Sequence, residues 1–218
     1  MADATAGNAG AGNVITGLVI QQHSKERVNV FLDGEYAFAV GLDAALGLRK
    51  GQRLSAEQIA ALKHEGEVDL AYQRSLRYLG IRPRSEQEMS TYLAGKGYAE
   101  EVTAAVLARL RARGYVDDAA FARYWVDSRT RFRPRGTRAL RYELRQKGLD
   151  SPTIDEALEE QDEDAAAWAA AAPKAMRWAG LPREEFDKKL IGFLARRGFA
   201  YAICRRVAER AWQEYQEG

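Results

Sequence analysis

Leu93-Ala94-Gly95-Lys96-Gly97-Tyr98 decides the fold, because its pattern returns twice. An aliphatic residue, glycine four positions later and then a large apolar residue recur at successive intervals of 51 and 50 residues. The copies are Leu144-Arg145-Gln146-Lys147-Gly148-Leu149 and Leu194-Ala195-Arg196-Arg197-Gly198-Phe199. Glycine in this setting marks the residue after a helix end, where a left-handed backbone is costly for residues with a Cβ. Each glycine is followed by an aliphatic pair at i, i+4: Val102 and Val106, Ile154 and Leu158, Ile203 and Val207. That spacing puts each pair on one helical face.

Working outward, the start signals agree with the stops. Ser85-x-x-Glu88 reads as a capping box for the middle helix of the first copy. Ser151-Pro152 reads as a cap and an N1 proline before the last helix of the second copy, and Leu181-Pro182 opens the middle helix of the third. Pro173 predicts a kink or a late start in the first helix of the third copy. The unit is therefore three helices, repeated three times. A unit of about 50 residues has a thin core alone, so an elongated, gently curved array is expected.

Upstream the period changes from helix to strand. Ile15, Gly17 and Val19 alternate with Leu18 and Ile20, Val28, Val30 and Leu32 alternate around Asn29 and Phe31, and Tyr36, Phe38 and Val40 follow the turn residues Asp33-Gly34. Ser55-x-x-Gln58 opens a short helix through Leu62. The expected organisation is a disordered tail over 1–13 and a small β-rich module over 14–66. Helical repeats follow over 67–115, 116–163 and 164–218. The fold class is mainly α, three tandem three-helix repeats behind a small β module.

Of the 218 residues 46% are apolar, enough for real cores, and no run approaches the roughly 18 apolar residues of a membrane span. The Ala/Gly-rich start lacks the charged and apolar regions of a signal peptide, so a cytoplasmic protein is expected. Cys204 is alone and sits on a helical pattern, as packing, while His23 and His64 lie far apart. No metal-ligand spacing, phosphate-binding glycine loop or nucleophile–base grouping is present, so no metal, no cofactor and no catalysis are expected.

The net charge of +2 conceals strong segregation. Arg123 to Lys147 holds nine Lys/Arg against Asp127 and Glu143, whereas Asp150 to Asp164 holds eight acids and no base. Arg129, Arg131, Arg133 and Arg135 alternate, and Arg138, Arg141, Arg145 and Lys147 follow. Arg138, Arg141 and Arg145 share one helical face, opposite Leu140 and Leu144, which belong to the core. Guanidinium forks suit phosphate, so this run reads as a polyanion-facing surface, with a solvated face as the plain alternative. Arg196, Arg197, Arg205 and Arg206 give the third repeat a basic face that extends the first or is merely solvated. Phe121, Tyr124, Trp125 and Phe132 form an aromatic stripe that reads as core, with Tyr124 the exception that keeps its hydroxyl in water and stacking on unpaired bases beside the arginines as the alternative. The acidic run reads as a solvated helix end and linker.

Three stretches resemble the RecX family. Arg82-Pro83-Arg84-Ser85-Glu86-Gln87-Glu88-Met89 is similar to its opening motif, Gly114-Tyr115-Val116-Asp117-Asp118-Ala119-Ala120-Phe121-Ala122 to its inter-repeat link, and Pro134-Arg135-Gly136 leading to Glu143-Leu144-Arg145-Gln146-Lys147-Gly148 to its central repeat. The resemblance implies a regulator that binds the recombinase RecA and its filament on single-stranded DNA, and damps recombinase, ATPase and co-protease activities. It leaves open whether the basic face meets DNA, an acidic RecA surface or both. A sequence-specific DNA-binding protein that uses helix-turn-helix-like repeats is the second reading, and double-stranded DNA is a further possible partner. No heptad seam is present, so a monomer is expected.

Overall fold

In the computed structural model, residues 13–22 and 25–216 are described. The expected tail, apart from Asn13, and His23 lie outside them. The described residues fall into two compact units. One extends to Ile81 and takes in Tyr92–Arg113, and the other comprises Arg82–Thr91 and the chain from Gly114 onward.

The first unit begins with strands β1 (Asn13–Ile20), β2 (Arg27–Leu32) and β3 (Glu35–Gly41), the short helix α1 (Leu42–Ala45) and strand β4 (Arg53–Leu54). They form one antiparallel sheet in the order β3-β2-β1-β4. Asp33 and Gly34 both adopt positive φ, 51° and 95°, which closes the β2–β3 hairpin with Leu32 opposite Glu35. Alternation then selects the core: Ile15, Val28, Val30, Leu32, Phe38 and Val40 are buried with Leu54 and Ile59. The sequence does not announce β4 or α1, which are too short to carry a period.

Helix α2 (Ala56–Leu79) opens on the Ser55–Gln58 capping box, with both reciprocal hydrogen bonds present. It does not end at Leu62. It runs on without a break, because Gly66 is a packing position and not a stop: a Cβ there would lie 2.1 Å from the Ala39 carbonyl oxygen. Arg27 fastens the contact, donating to the carbonyls of Gly66 and Ala39 at 3.0 Å each. Farther along, α2 packs on α4 (Glu100–Ala112). Tyr72 is buried there beneath the Arg109 guanidinium, 4.2 Å from its ring centroid, and accepts a hydrogen bond from Arg113 at 3.1 Å.

Between α2 and α4 in sequence lies α3 (Glu86–Ala94), whose Glu86–Thr91 portion belongs to the second unit. Ser85 caps the Glu88 amide at 3.2 Å, but the Glu88 carboxylate does not complete the expected box. It pairs instead with Arg82 and Lys147.

The second unit contains two complete triads. Helices α5 (Asp118–Phe132), α6 (Thr137–Gln146) and α7 (Ser151–Glu159) enclose Phe121, Ala122, Val126, Leu140, Leu144, Leu149, Ile154 and Leu158. Helices α8 (Glu163–Trp178), α9 (Arg183–Arg196) and α10 (Tyr201–Gln216) enclose an alanine-lined face of α8 and Phe186, Leu190, Leu194, Phe199, Ile203 and Val207. Leu140 and Leu144 are fully buried, each contributing about 2 kcal/mol by transfer from water. Gly97, Gly148 and Gly198 have φ of 82°, 86° and 88°, the left-handed stops that the repeat requires.

Three start signals differ in detail. Asp150, not Ser151, caps α7, by accepting from the Thr153 amide at 2.9 Å, and Pro152 follows within the first turn. No side chain caps α9, whose N-cap is Pro182. Helix α8 starts at Glu163 under the Asp162 cap and continues through Pro173, so the late start does not occur. No helix among the described residues is long and apolar enough to cross a membrane.

Candidate functional site

The arginine run occupies the end of α5, the α5–α6 connection and α6, and it is anchored from within by one acid. Glu143 is the single carboxylate on α6, with its side chain 18% exposed. Its Oε2 accepts from Arg129 Nε at 2.7 Å and from Trp125 Nε1 at 2.9 Å, and Arg135 Nε approaches Oε1 at 3.0 Å. Arg129 also lies over the Trp125 ring, 4.3 Å from its centroid. Two of the sequence-identified cations therefore hold α5 to α6, which a solvent-facing role does not require.

Lys147 is likewise engaged. Its Nζ lies 2.6 Å from Glu88 Oε1, and Arg82 holds the same oxygen at 2.8 Å. Burial alone would raise the Glu88 pKa, but the hydrogen bonds and charges of Arg82 and Lys147 outweigh it and lower the value to about 2. Nearby, Asp118 accepts from the Glu86 amide at 2.8 Å, and burial pushes its carboxyl above the ordinary range.

The acidic run is solvated as expected, with all its acids but Glu163 exposed, yet several of its carboxylates also have partners. Asp155 pairs with Arg141, Glu156 with Arg123 at 3.8 Å, and Asp164 receives Arg206 through two contacts of 2.7 Å. Glu163 takes the start of α6, accepting from the Thr137 amide at 2.9 Å and its hydroxyl at 3.2 Å. Charges segregated along the chain are thus interleaved in space. Arg141 and Arg206 carry their own counter-charges, and Arg145 reaches the Ser151 hydroxyl at 3.5 Å.

Several of the remaining arginines lie close to one backbone contact. Gly136 and Gly198 bring the α5–α6 connection against the α9–α10 turn, where the Gly136 amide donates to the Arg197 carbonyl at 3.0 Å. Arg133, Arg135 and Arg138 flank the first glycine, while Arg196 and Arg197 precede the second. Arg197 donates to the Pro134 carbonyl at 3.2 Å and lies 4.6 Å from the Phe193 ring centroid. Burial, then repulsion from Arg135 and Arg133, lowers its pKa, so positive charge is crowded there. Among the described residues, Arg131, Arg133, Arg138, Arg196 and Arg205 are exposed and form no ion pair.

The aromatic stripe divides differently from the sequence expectation. Phe121 is buried and Trp125 half-buried, while Tyr124 is 38% exposed. Phe132, expected in the core, is 85% exposed between Arg131 and Arg133. It ends α5 well beyond Val126, the last buried residue of that helix, and helical period alone cannot reveal where partner helices stop. Cys204 is buried with its thiol raised by burial, as a packing residue is.

Three family models match the chain: the regulatory protein RecX N-terminal domain over residues 13–55, the first RecX three-helix domain over 71–110, and the second over 117–158. A regulatory protein RecX from Bacillus licheniformis is 31% identical over 209 residues, spanning 94% of this chain and 80% of that protein. Another, from Prosthecochloris aestuarii, is 43% identical over 145 residues, 66% of this chain and 95% of that one. A crystal structure of regulatory protein RecX superposes with a TM-score of 0.74 at 29% identity, covering 90% of this chain and 99% of the other.

Proposed function

Because the chain belongs to the RecX family of regulatory proteins, we propose that it is a non-catalytic regulator of the recombinase RecA. It binds RecA and the filament that RecA forms on single-stranded DNA, and it lowers recombinase, ATPase and co-protease activity. The observation that carries the reading is the cationic junction around Gly136 and Gly198. Three arginines without ion pairs among the described residues, Arg133 and Arg138 from one repeat and Arg196 from the next, face solvent within three residues of these glycines. Such a surface favours a polyanion, because each phosphate it neutralises releases condensed counterions.

The test is RecA-catalysed ATP hydrolysis and strand exchange on single-stranded DNA, with this protein added below equimolar ratio at low salt. Inhibition at substoichiometric protein is expected, since a regulator that caps a filament acts on many subunits. Unchanged RecA activity at equimolar protein overturns the reading. Co-sedimentation with RecA alone, DNA alone and the assembled filament ranks the partners.

A further inference from the structure

The geometry points to Phe132 as a stacking platform for an unpaired nucleobase, with Arg131 and Arg133 gripping the phosphates on either side, so that this junction takes single-stranded nucleic acid directly. The inference rests on the reading of the junction as a polyanion contact, and it names the polyanion. Single exposed apolar side chains are common and by themselves mean little. Phe132 differs in its surroundings. It is a whole ring, 85% exposed, at the tip of a helix where the chain turns away through Arg133 and Pro134. Its two sequence neighbours are exposed guanidinium groups that form no ion pair among the described residues.

A phosphate-only surface needs no such ring, and an ordinary solvated face would place a polar residue there. A double helix hides the faces of its bases, whereas an unpaired strand offers a face at every nucleotide, whatever its sequence. Arginine beside an aromatic platform is the combination such a strand meets with both of its chemical parts. The crowded charge of Arg133, Arg135 and Arg197 is relieved when phosphate enters. Tyr201, 66% exposed at the start of α10 just after Gly198, sets a second ring near the junction.

The test uses the full-length protein without RecA, an oligothymidylate labelled for fluorescence anisotropy, and the same backbone carrying abasic residues, over a range of salt. Phe132→Ala is expected to weaken binding to the oligothymidylate about tenfold, the scale of one lost stack, with the salt slope unchanged. Phe132→Trp is expected to retain wild-type affinity, and the abasic strand to bind the wild type and Phe132→Ala alike. Circular dichroism verifies that the variants fold. Equal binding of the oligothymidylate by wild type and Phe132→Ala overturns the inference. So does equal loss on the abasic strand, which would mean that the ring does not act on a base. Inhibition of RecA by the wild-type protein, measured in parallel, separates this failure from that of the regulatory reading.

Discussion

Gly136 and Gly198 touch through their backbones: a Cβ on Gly136 would lie 2.3 Å from the Gly198 carbonyl oxygen, and one on Gly198 would lie 2.4 Å from the Ala139 Cβ. This contact sets the two arginine-bearing segments side by side. Gly136→Ala is therefore expected to destabilise the protein by about 1–3 kcal/mol, because backbone cannot yield as a flexible side chain does. Gly136 has an ordinary φ of −73°, so its penalty is steric alone. Gly198→Ala adds the left-handed backbone penalty, about 1–2 kcal/mol, and should be the worse of the two. Urea unfolding measures both, and equal stability of wild type and Gly136→Ala would show that the contact is loose.

Glu143 offers the second test, since two hydrogen-bond donors and the Arg135 cation converge on one partly buried carboxylate. Glu143→Gln keeps the shape and removes the charge. It leaves Arg129 and Arg135 without their counter-ion, so a loss of about 1–3 kcal/mol is expected, larger than for Asp155→Asn on the more exposed Arg141 pair. Trp125 lies in the same network, and its fluorescence reports the change directly. Similar small losses in both variants would show that burial adds nothing to the Glu143 cluster.

The triads were legible in the sequence because each rests on a local rule repeated three times, a glycine stop followed by an i, i+4 aliphatic pair. Leu140, Leu144, Ile154 and Leu158 entered the core as their period demanded. What the sequence hid depended on distant partners. The helix opened by Ser55 was expected to stop at Leu62, but it runs on through Gly66, where the Ala39 carbonyl oxygen lies within 2.1 Å of where a Cβ would sit. The acidic run looked like a separate surface, but α7 and α8 fold back and deliver Asp155 to Arg141, Glu163 to Thr137 and Asp164 to Arg206. Phe132 obeyed the apolar period of α5, yet the helix outlasts its cover. One-dimensional charge separation is thus a poor guide to three-dimensional charge separation wherever short helices reverse direction.

Acid should expose the Glu88 cluster. Its carboxyl titrates near pKa 2 in the folded chain against 4.5 for the ordinary group. A depressed folded pKa means that the stabilisation is full above the unfolded value and fades as pH falls from about 5 towards 2. The side chain is 14% exposed, so the shift corresponds to at most about 3 kcal/mol. Glu88→Gln should flatten that part of the stability profile in urea titrations. Asp118 acts with the opposite sign, because its raised pKa makes protonation favour the fold, so Asp118→Asn should steepen the acid loss. A Glu88→Gln profile as steep as the wild type would place the acid sensitivity elsewhere.

The division between paired and unpaired arginines makes the last prediction. An arginine that already holds a carboxylate presents little net charge to a phosphate, whereas an unpaired one displaces a counterion when the phosphate arrives. Arg131→Ala with Arg133→Ala should therefore lower the slope of log affinity against log salt by about 1.4, near 0.7 for each contact to a single strand. Arg141→Ala with Arg206→Ala removes the same formal charge, but from groups bound to Asp155 and Asp164, and should change the slope by no more than a few tenths. Arg138→Ala should behave like the first pair although it shares a helix with Arg141, because it forms no ion pair among the described residues. Anisotropy titrations on one oligonucleotide at several salt concentrations decide this. If both double variants flatten the slope equally, the ion pairs open on binding, and the surface is governed by the total number of arginines and not by their partners. Unequal slopes would mean that the fold, by spending its acidic helices on selected guanidinium groups, determines which cations are left for phosphate.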